Sequence, residues 1–319
     1  MNPANSKSVI GVDLGGTTIK AGVVSADGTI RYSNKVPSCA GEGPANVIQQ
    51  IRTAVQDAIG HADGRHIEGI GIGSPGVVDD DGVVKAPPNF VDWDEVPLKA
   101  ELARLFPTIP IGVENDANAA AIAESRFGAG VQYPNFLFVI WGTGVGGGII
   151  LNHKIFRGPT GGAGEIGHFS IDYNGPLCNC GNVGCVEAYV GQRYLSQRTA
   201  QRLQAHPDSR ILELVGGDLS KIEPVYISQA AHEGDKLARE ILIEAGHLLG
   251  VALSAVMNIM DLRVSIIGGG ISAAGDFVMS AVQESVVQHV LKPLKKDIRV
   301  LAAQLGNEAG LLGAAGLVM

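Results

Sequence analysis

Three of the four cysteines lie close together in the segment CNCGNVGC, at Cys178, Cys180 and Cys185. Three thiols cannot all pair as disulfides, and their spacing is not the C-x-x-C of a thioredoxin-like switch. Three thiolates and one imidazole form a tetrahedral zinc site, and His168, ten residues before Cys178, is the nearest histidine. The sequence therefore predicts a Cys3His zinc site, structural rather than catalytic because four protein ligands leave no open position.

Two glutamates flank this cluster, Glu165 three residues before His168 and Glu187 two residues after Cys185. A zinc ion would fix the position of both carboxylates. Paired carboxylates beside an imidazole suit hydrogen bonding to the vicinal hydroxyls of a sugar. The alternative is that both glutamates are surface charges on a zinc-stapled loop.

Two glycine-rich segments have the composition of phosphate-binding loops, DLGGTTIK at 13–20 and WGTGVGGG at 141–148. Adjacent glycines at a strand-to-strand turn expose backbone N–H groups, the threonines add hydroxyls, and an aspartate at the strand end can hold hydrated Mg²⁺. Neither segment is a P-loop, and each alone is also compatible with an ordinary turn. Two opposed hairpins can clamp a polyphosphate, and GGG at 268–270 can let a base and ribose approach the backbone. The predicted nucleotide-binding set is Asp13, Gly15, Gly16, Thr17, Thr18, Lys20, Gly142, Thr143, Gly144, Gly146, Gly147 and Gly269.

Three consecutive polar residues, Glu114, Asn115 and Asp116, come directly after an apolar run and before a helical pattern. One of them is expected to cap the helix, but one cap does not explain three polar residues in a row. A carboxylate at this junction can accept the proton of a substrate hydroxyl during phosphoryl transfer.

The composition narrows the class of protein. The chain has 319 residues, 45% hydrophobic and 18% charged, and its net charge of −8 comes without a basic stripe, so nucleic acid is not expected as a partner. The first residues lack the pattern of a signal peptide. The apolar segment 245–260 is interrupted by His247 and Asn258 and is predicted to be too short to cross a membrane. We expect a cytoplasmic protein, in which a disulfide framework is disfavoured.

Alternating strand and helix patterns indicate an α/β fold. The predicted elements are strands at 8–14, 19–25 and 29–36, a helix at 43–59, a strand at 66–74, a short helix between Pro97 and Pro107, a strand at 109–115, a helix at 116–128, a strand–turn–strand unit at 136–151, helices at about 186–205, 225–233 and 235–258, a strand at 263–270 and a final helix.

The segments VIGVDLGGTTIKAGVV and FLFVIWGTGVGGGIIL share a pattern of apolar run, Gly/Thr-rich turn and apolar run, which suggests two similar halves. We place the hinge near Asp116. The predicted domains are 1–116, with the last helix at about 305–319 crossing back to it, and 117–304, which carries the zinc loop.

Seven motifs, spread over nearly the whole chain, resemble those of the ROK family of sugar kinases and repressors, within the actin-like, hexokinase-type ATPase superfamily. In order they are DLGGTTIK, GSPGVVD, APPNFVDW, ENDANAAA, WGTGVGGGI, GEIGH and CNCGNVGCVEAY. The resemblance implies an α/β, two-domain actin-like (ribonuclease H-like) ATPase fold with a central cleft and a zinc-stapled loop. It also implies that the two hairpin loops hold the phosphates of ATP·Mg²⁺.

The resemblance assigns roles by motif position. Asp116 is implied as the catalytic base toward a sugar hydroxyl. The implied metal ligands are His168, Cys178, Cys180 and Cys185, and His168 would use its other ring nitrogen for the sugar. The implied sugar-contacting residues are Asn89, Asn115, Asp116, Glu165, His168 and Glu187.

Repressors of the family carry a DNA-binding winged helix before the first hairpin, and twelve residues precede Asp13 here, so we expect an enzyme without that module. Relatives that use polyphosphate generally lack the cysteine cluster, so ATP is the expected donor. The cysteine motif is similar to that of glucokinases and N-acetylhexosamine kinases rather than fructokinases.

The expected activity is therefore ATP-dependent phosphorylation of the 6-hydroxyl of an aldohexose, with glucose as the first choice. N-acetylmannosamine and N-acetylglucosamine are alternative substrates, and a non-catalytic sugar sensor is the alternative of another class. By analogy with relatives we expect a homo-oligomer, a dimer or a tetramer.

Overall fold

The computed structural model describes residues 7–319. The prediction that the first residues lack a signal peptide concerns residues that lie for the most part outside this range. Thirteen strands and ten α-helices follow one another along the described chain. The strands are β1 Lys7–Leu14, β2 Thr18–Ser25, β3 Ile30–Pro37, β4 His66–Ser74, β5 Val77–Val78, β6 Val84–Lys85, β7 Glu95–Val96, β8 Ile111–Asn115, β9 Phe136–Trp141, β10 Val145–Leu151, β11 Lys154–Phe156, β12 Val264–Gly268 and β13 Arg299–Ala302.

Side-chain caps at Asn115, Ser209 and Asp235 begin three of the described α-helices. The helices are α1 Pro44–Gly60, α2 Leu98–Leu105, α3 Asp116–Phe127, α4 Glu187–Val190, α5 Gln192–Leu203, α6 Arg210–Leu214, α7 Pro224–His232, α8 Lys236–Met260, α9 Asp276–His289 and α10 Ala309–Gly316.

Two five-stranded sheets have the same topology, with strand orders β3-β2-β1-β4-β8 and β11-β10-β9-β12-β13. In each sheet, the first three strands along the chain form an antiparallel meander, and the two later strands pair in parallel. This agreement matches the internal repeat that the two glycine-rich hairpins suggest. A third sheet of short strands, β5-β6-β7, was not predicted, because each of its strands has only two residues.

The chain divides into two compact units. The first unit comprises Met1–Pro134, Gly148–Gly164 and Gln304–Met319, and the second comprises Asn135–Gly147 and Glu165–Ala303. The first unit runs past the predicted boundary at Asp116 because helix α3 packs closely on α10: the contact between Gly313 and the Ala119 carbonyl leaves no room for a Cβ.

The apolar segment at 245–260 is part of the longer helix α8. With 25 residues, α8 is the one helix in the described part of the chain that is long and apolar enough, by length and composition alone, to cross a membrane. Of its most apolar window, 56% is buried inside the protein, and Leu249 and Leu253 are fully buried. This burial is typical of a core helix.

The predicted helix at 186–205 is broken at Gly191 into α4 and α5. Gly191 adopts an extended conformation, with φ −65° and ψ 150°. A Cβ on Gly191 would lie 3.3 Å from the Thr143 carbonyl oxygen and 3.0 Å from that of Glu187. The Gly191 backbone thus packs against the distant residue Thr143, a contact that helix propensity does not report.

Glycines in the first sheet allow α10 to lie directly on the strands. Gly11 in β1 faces the Leu311 carbonyl and Gly71 in β4 faces the Ala314 carbonyl, and neither contact leaves room for a side chain. Gly71→Ala should therefore lower the free energy of unfolding by about 3 kcal/mol. Gly60→Ala is the matched control, since nothing lies within 4 Å of a Cβ there. Denaturant unfolding that gave equal stability for the two variants would contradict this packing.

Candidate functional site

The first glycine-rich hairpin joins β1 to β2 and is braced by a residue that the sequence did not reveal. Gly15 N–H donates to the Thr18 carbonyl at 2.9 Å. Ser38, fully buried just after β3, donates its hydroxyl to the Gly16 carbonyl at 2.8 Å and its N–H to the Thr17 carbonyl at 3.0 Å. Gly16, Thr17 and Thr18 are exposed. The loop is thus fixed through its carbonyls, while its exposed residues remain accessible to a ligand.

The ends of three parallel strands bring Asp13 and the candidate catalytic base, Asp116, to one edge of the first sheet. Asp13 in β1 pairs with Gly73 in β4, and Gly73 pairs with Glu114 in β8. A Cβ on Gly73 would lie 3.8 Å from the Asp116 Cα. Because carboxyl ends of parallel strands are a common place for ligand sites in α/β folds, this edge is the candidate phosphate and acceptor site of the first unit.

Asp13 and Lys20 sit opposite each other on β1 and β2. The Lys20 ammonium donates to Glu308 Oε2 at 2.6 Å, and only 13% of the Lys20 side chain is exposed. Burial raises the pKa of the Asp13 carboxyl, because lost hydration outweighs the attraction of Lys20. A partly desolvated carboxylate gains from a bound cation, so Asp13 fits the role of a Mg²⁺ ligand.

The raised pKa of Asp13 has a consequence for stability. Since the folded-state pKa lies above the ordinary value of 3.8, the ionised carboxylate costs stability at neutral pH, and the cost disappears as the pH falls below that value. Asp13→Asn should therefore raise the unfolding midpoint of the ligand-free protein by about 1–3 °C at pH 7, with no gain below about pH 4. Asp80→Asn, at an exposed turn position, should leave the midpoint unchanged. A lower midpoint for Asp13→Asn than for the wild type at pH 7 would contradict this account.

Asn115 is the cap of helix α3. Its side-chain oxygen accepts from the N–H groups of Ala117 at 2.9 Å and Asn118 at 3.1 Å, and its amide donates to the Gly76 carbonyl at 3.0 Å. The predicted sugar contact of Asn115 stays a prediction, but its oxygen is already occupied. Asp116, the next residue, accepts the Ala117 N–H at 2.8 Å through Oδ1. The cap therefore fixes the start of the helix, and the base candidate stands in its first turn.

A buried carboxylate, Glu114, paired with a partly exposed arginine holds this junction from behind. Glu114 is fully buried, and its Oε1 accepts from Asn115 N–H at 2.9 Å and from the Asn118 amide at 3.0 Å. Its Oε2 pairs with Arg157, on the loop after β11. These hydrogen bonds and the ion pair offset the free energy lost when the carboxylate is removed from water. Spacing along the chain assigns Glu114 no separate role and does not point to Arg157 as its partner, because the two residues lie 43 positions apart.

Asn89 lies in the APPNF loop with a left-handed backbone, φ 68°, and is exposed. Its Cβ would be 3.8 Å from a Cβ placed on Gly16. The structure thus brings one predicted sugar-contacting residue beside the first hairpin.

The second hairpin turns at Gly142, Thr143 and Gly144, between β9 and β10. Gly146 and Gly147, predicted in the loop, lie in strand β10 instead. Gly269 follows β12, which is parallel to β9, so both turns lie at the same end of adjacent strands. Gly269 has φ +95° and packs on the Trp141 carbonyl without room for a Cβ. Its backbone therefore supports the base of the hairpin, and its contact with a nucleotide stays a prediction.

The four predicted metal ligands come together. One ligand atom from each of His168, Cys178, Cys180 and Cys185 lies within 4.8 Å of all the others. The Cys178 Sγ to His168 Nδ1 distance is 3.8 Å, and the Cys180 Sγ to Cys185 Sγ distance is 3.7 Å. Ligands about 2.3 Å from a tetrahedral zinc ion are about 3.8 Å apart. Donor types and spacing therefore both fit zinc.

The ionisation of these thiols depends on the metal. Burial raises the pKa of Cys178 and raises that of Cys185 to about 12, while the backbone N–H of Asn182 lowers the pKa of Cys180. Two of the thiols are thus protonated at neutral pH when no metal is bound. Zinc binding must displace these protons, so its affinity should weaken in acid.

Glu165 and His168 stand at the two ends of a 3₁₀ turn, Ile166–His168. Residues three apart in such a turn lie on the same side. Glu165 is exposed, and since His168 directs Nδ1 toward the sulfur atoms, Nε2 is the nitrogen left for a ligand. Glu187 begins α4, half-buried, and accepts the Val145 N–H through Oε2 at 2.9 Å. One oxygen of this predicted sugar-contacting carboxylate is therefore bound to the second hairpin.

Each unit contains part of the predicted site. Of the sugar-contacting set, Asn89, Asn115 and Asp116 belong to the first unit, and Glu165, His168 and Glu187 belong to the second. The nucleotide-binding set divides in the same way, with the first hairpin in the first unit and the second hairpin and Gly269 in the second.

The chain is similar to known proteins over nearly its whole length. Residues 9–319 match the ROK family model. The chain is 40% identical to a glucokinase of Streptomyces coelicolor, over 97% of this chain and 96% of the relative, and 35% identical to a glucokinase of Thermotoga maritima, with the same coverage. The crystal structure of a ROK family glucokinase from Streptomyces griseus in complex with glucose and AMPPNP superposes with a TM-score of 0.83, at 39% identity, covering 98% of this chain and 99% of that chain. The chain belongs to the ROK family and has its actin-like ATPase fold.

Proposed function

We propose that this protein is an ATP-dependent hexokinase that phosphorylates the 6-hydroxyl of an aldohexose, with glucose as the preferred substrate. The observation that carries the proposal is the likeness to the Streptomyces griseus glucokinase, which binds glucose and AMPPNP and matches nearly the whole chain at 39% identity. The glucokinases from two other organisms support the same substrate.

The described residues suit the steps of this reaction. Asp116, in the first turn of α3, would orient the sugar hydroxyl and accept its proton. Backbone N–H groups of the hairpins at 15–18 and 142–144 that are not used within the turns would hold the phosphates of ATP. Asp13 would hold Mg²⁺, and the bound ion would neutralise charge on the phosphates. Phosphoryl transfer needs positioning and charge stabilisation more than a strong base, and fixed backbone donors supply both.

In the second unit, the sugar hydroxyls would form hydrogen bonds with Glu165, His168 and Glu187. His168 would bind zinc through Nδ1 and the sugar through Nε2. The zinc ion would be structural, with His168, Cys178, Cys180 and Cys185 as its ligands, and would keep this imidazole in one orientation. We further propose that the enzyme is cytoplasmic, acts in carbohydrate breakdown (glycolysis), and works as a dimer or tetramer.

ADP release measured with a panel of sugars tests the proposal. We expect release with glucose that exceeds release with N-acetylmannosamine and N-acetylglucosamine. The reverse order would keep the kinase but change the substrate. No release with any hexose would contradict the kinase and favour a non-catalytic sugar sensor.

A further inference from the structure

The second hairpin is held at one residue, Val145, from two sides. The Val145 N–H donates to Glu187 Oε2 at 2.9 Å. The Val145 carbonyl faces Gly167, in the GEIGH turn, so closely that no Cβ would fit at Gly167. The hairpin is therefore interlocked with both segments that flank the candidate zinc site.

The residues after Glu187 extend this contact along the hairpin. The Gln192 N–H donates to the carbonyls of Gly142 at 3.1 Å and Thr143 at 3.2 Å. The Trp141 indole donates to the Val190 carbonyl at 2.9 Å. The Gly142 and Thr143 carbonyls are thus bound by the first residue of α5, and the Gly142 N–H donates to the Gly144 carbonyl at 3.0 Å. The N–H groups of Thr143 and Gly144 are therefore the turn's candidate donors for a phosphate.

The candidate metal site fixes the segment that makes these contacts. Glu187 follows Cys185 by two residues, and between them the Val186 N–H donates to the Phe169 carbonyl at 2.9 Å. The Cys185 thiol itself lies 3.4 Å from the His168 carbonyl. A metal bound by His168 and Cys185 would therefore hold the position of the Glu187 backbone.

We propose that Glu187 is a positioning residue for the phosphate-binding hairpin, so that the zinc-stapled loop sets the geometry of the nucleotide site and not only that of the sugar site. This inference rests on the proposed function of the hairpin as a nucleotide-binding loop. The hairpin is adapted to the contact, because a Cβ on Gly144 would lie 2.5 Å from Glu187 Oε2. An alanine at 144 would therefore push this carboxylate out of its present position beside the Val145 N–H.

Two substitutions at the same position test the hydrogen bond. Glu187→Gln keeps a side-chain oxygen that can accept the Val145 N–H, whereas Glu187→Ala leaves this donor without its partner. The binding of AMPPNP·Mg²⁺ to the sugar-free protein, measured by calorimetry, should be close to that of the wild type in Glu187→Gln. It should be about tenfold weaker in Glu187→Ala. Metal content is measured on both variants.

The sugar-free readout separates this role from sugar recognition. If Glu187 acts only on the sugar, neither variant changes nucleotide binding, and the inference is overturned. Equal weakening in both variants would also overturn it, because the charge rather than the hydrogen bond would then matter. Failure of the proposed function would look different, since hexose phosphorylation would be absent from the wild type whatever the nucleotide affinity.

A double-mutant cycle that combines Gly144→Ala with Glu187→Ala keeps the test decisive if Glu187→Ala loses its metal. Gly144→Ala should weaken nucleotide binding by displacing the carboxylate. If it acts in this way, Gly144→Ala adds nothing further in the Glu187→Ala background. Additive weakening would mean that the alanine methyl acts on the nucleotide directly, and would overturn the inference.

Discussion

Asp116→Asn should lower turnover with glucose by about 10²–10⁴-fold while sugar affinity changes little. An asparagine side chain has the same shape and can still accept the Ala117 N–H through its oxygen, but it cannot accept the hydroxyl proton. The fold should survive, because Asn115 rather than Asp116 caps helix α3. Turnover is measured from ADP release, and sugar affinity is measured by calorimetry.

Asp80→Asn makes the same chemical change at an exposed position and should leave both quantities unchanged. Near-wild-type turnover in Asp116→Asn would show that another group is the base. A loss of sugar affinity as large as the loss of turnover would instead give Asp116 a role in ground-state binding.

Cys185→Ser should release zinc and lower the free energy of unfolding by several kcal/mol. The Cys185 thiol is fully buried among the other three ligands, and a hydroxyl is a poor replacement for a thiolate. Loss of the metal should also free the GEIGH turn and the start of α4, so that activity falls together with stability. Metal analysis and thermal unfolding of the same samples measure both effects.

Cys39→Ser is the matched control, because Cys39 lies outside the cluster and should not affect the metal. Zinc held as tightly in Cys185→Ser as in the wild type would contradict the site. So would a purified wild-type protein that contains no zinc and takes none up when it is supplied.

Local sequence patterns predicted most of the fold. Strand β4, bounded by polar and turn residues, lies at 66–74 as predicted, and the cap at Asn115 begins α3 where the Asn-Asp pair indicates. The spacing of Cys178, Cys180 and Cys185 with one upstream histidine also led to the four residues that the structure brings together.

What the sequence could not show are contacts between distant segments. Ser38 braces the first hairpin, and Arg157 neutralises Glu114, yet neither lies in a motif. The bond from Val145 to Glu187 is of the same kind, since it joins a backbone N–H to a side chain 42 residues away. Such contacts depend on how the strands and turns are assembled, which spacing along the chain does not report.

The most direct test of the central claim compares glucose with 6-deoxyglucose, each supplied with ATP and Mg²⁺. The two sugars differ only in the hydroxyl that we propose as the acceptor. The account predicts glucose 6-phosphate as the product in ³¹P NMR, in step with ADP release, whereas 6-deoxyglucose should yield no sugar phosphate. Phosphorylation of 6-deoxyglucose, or phosphate on another hydroxyl of glucose, would contradict it.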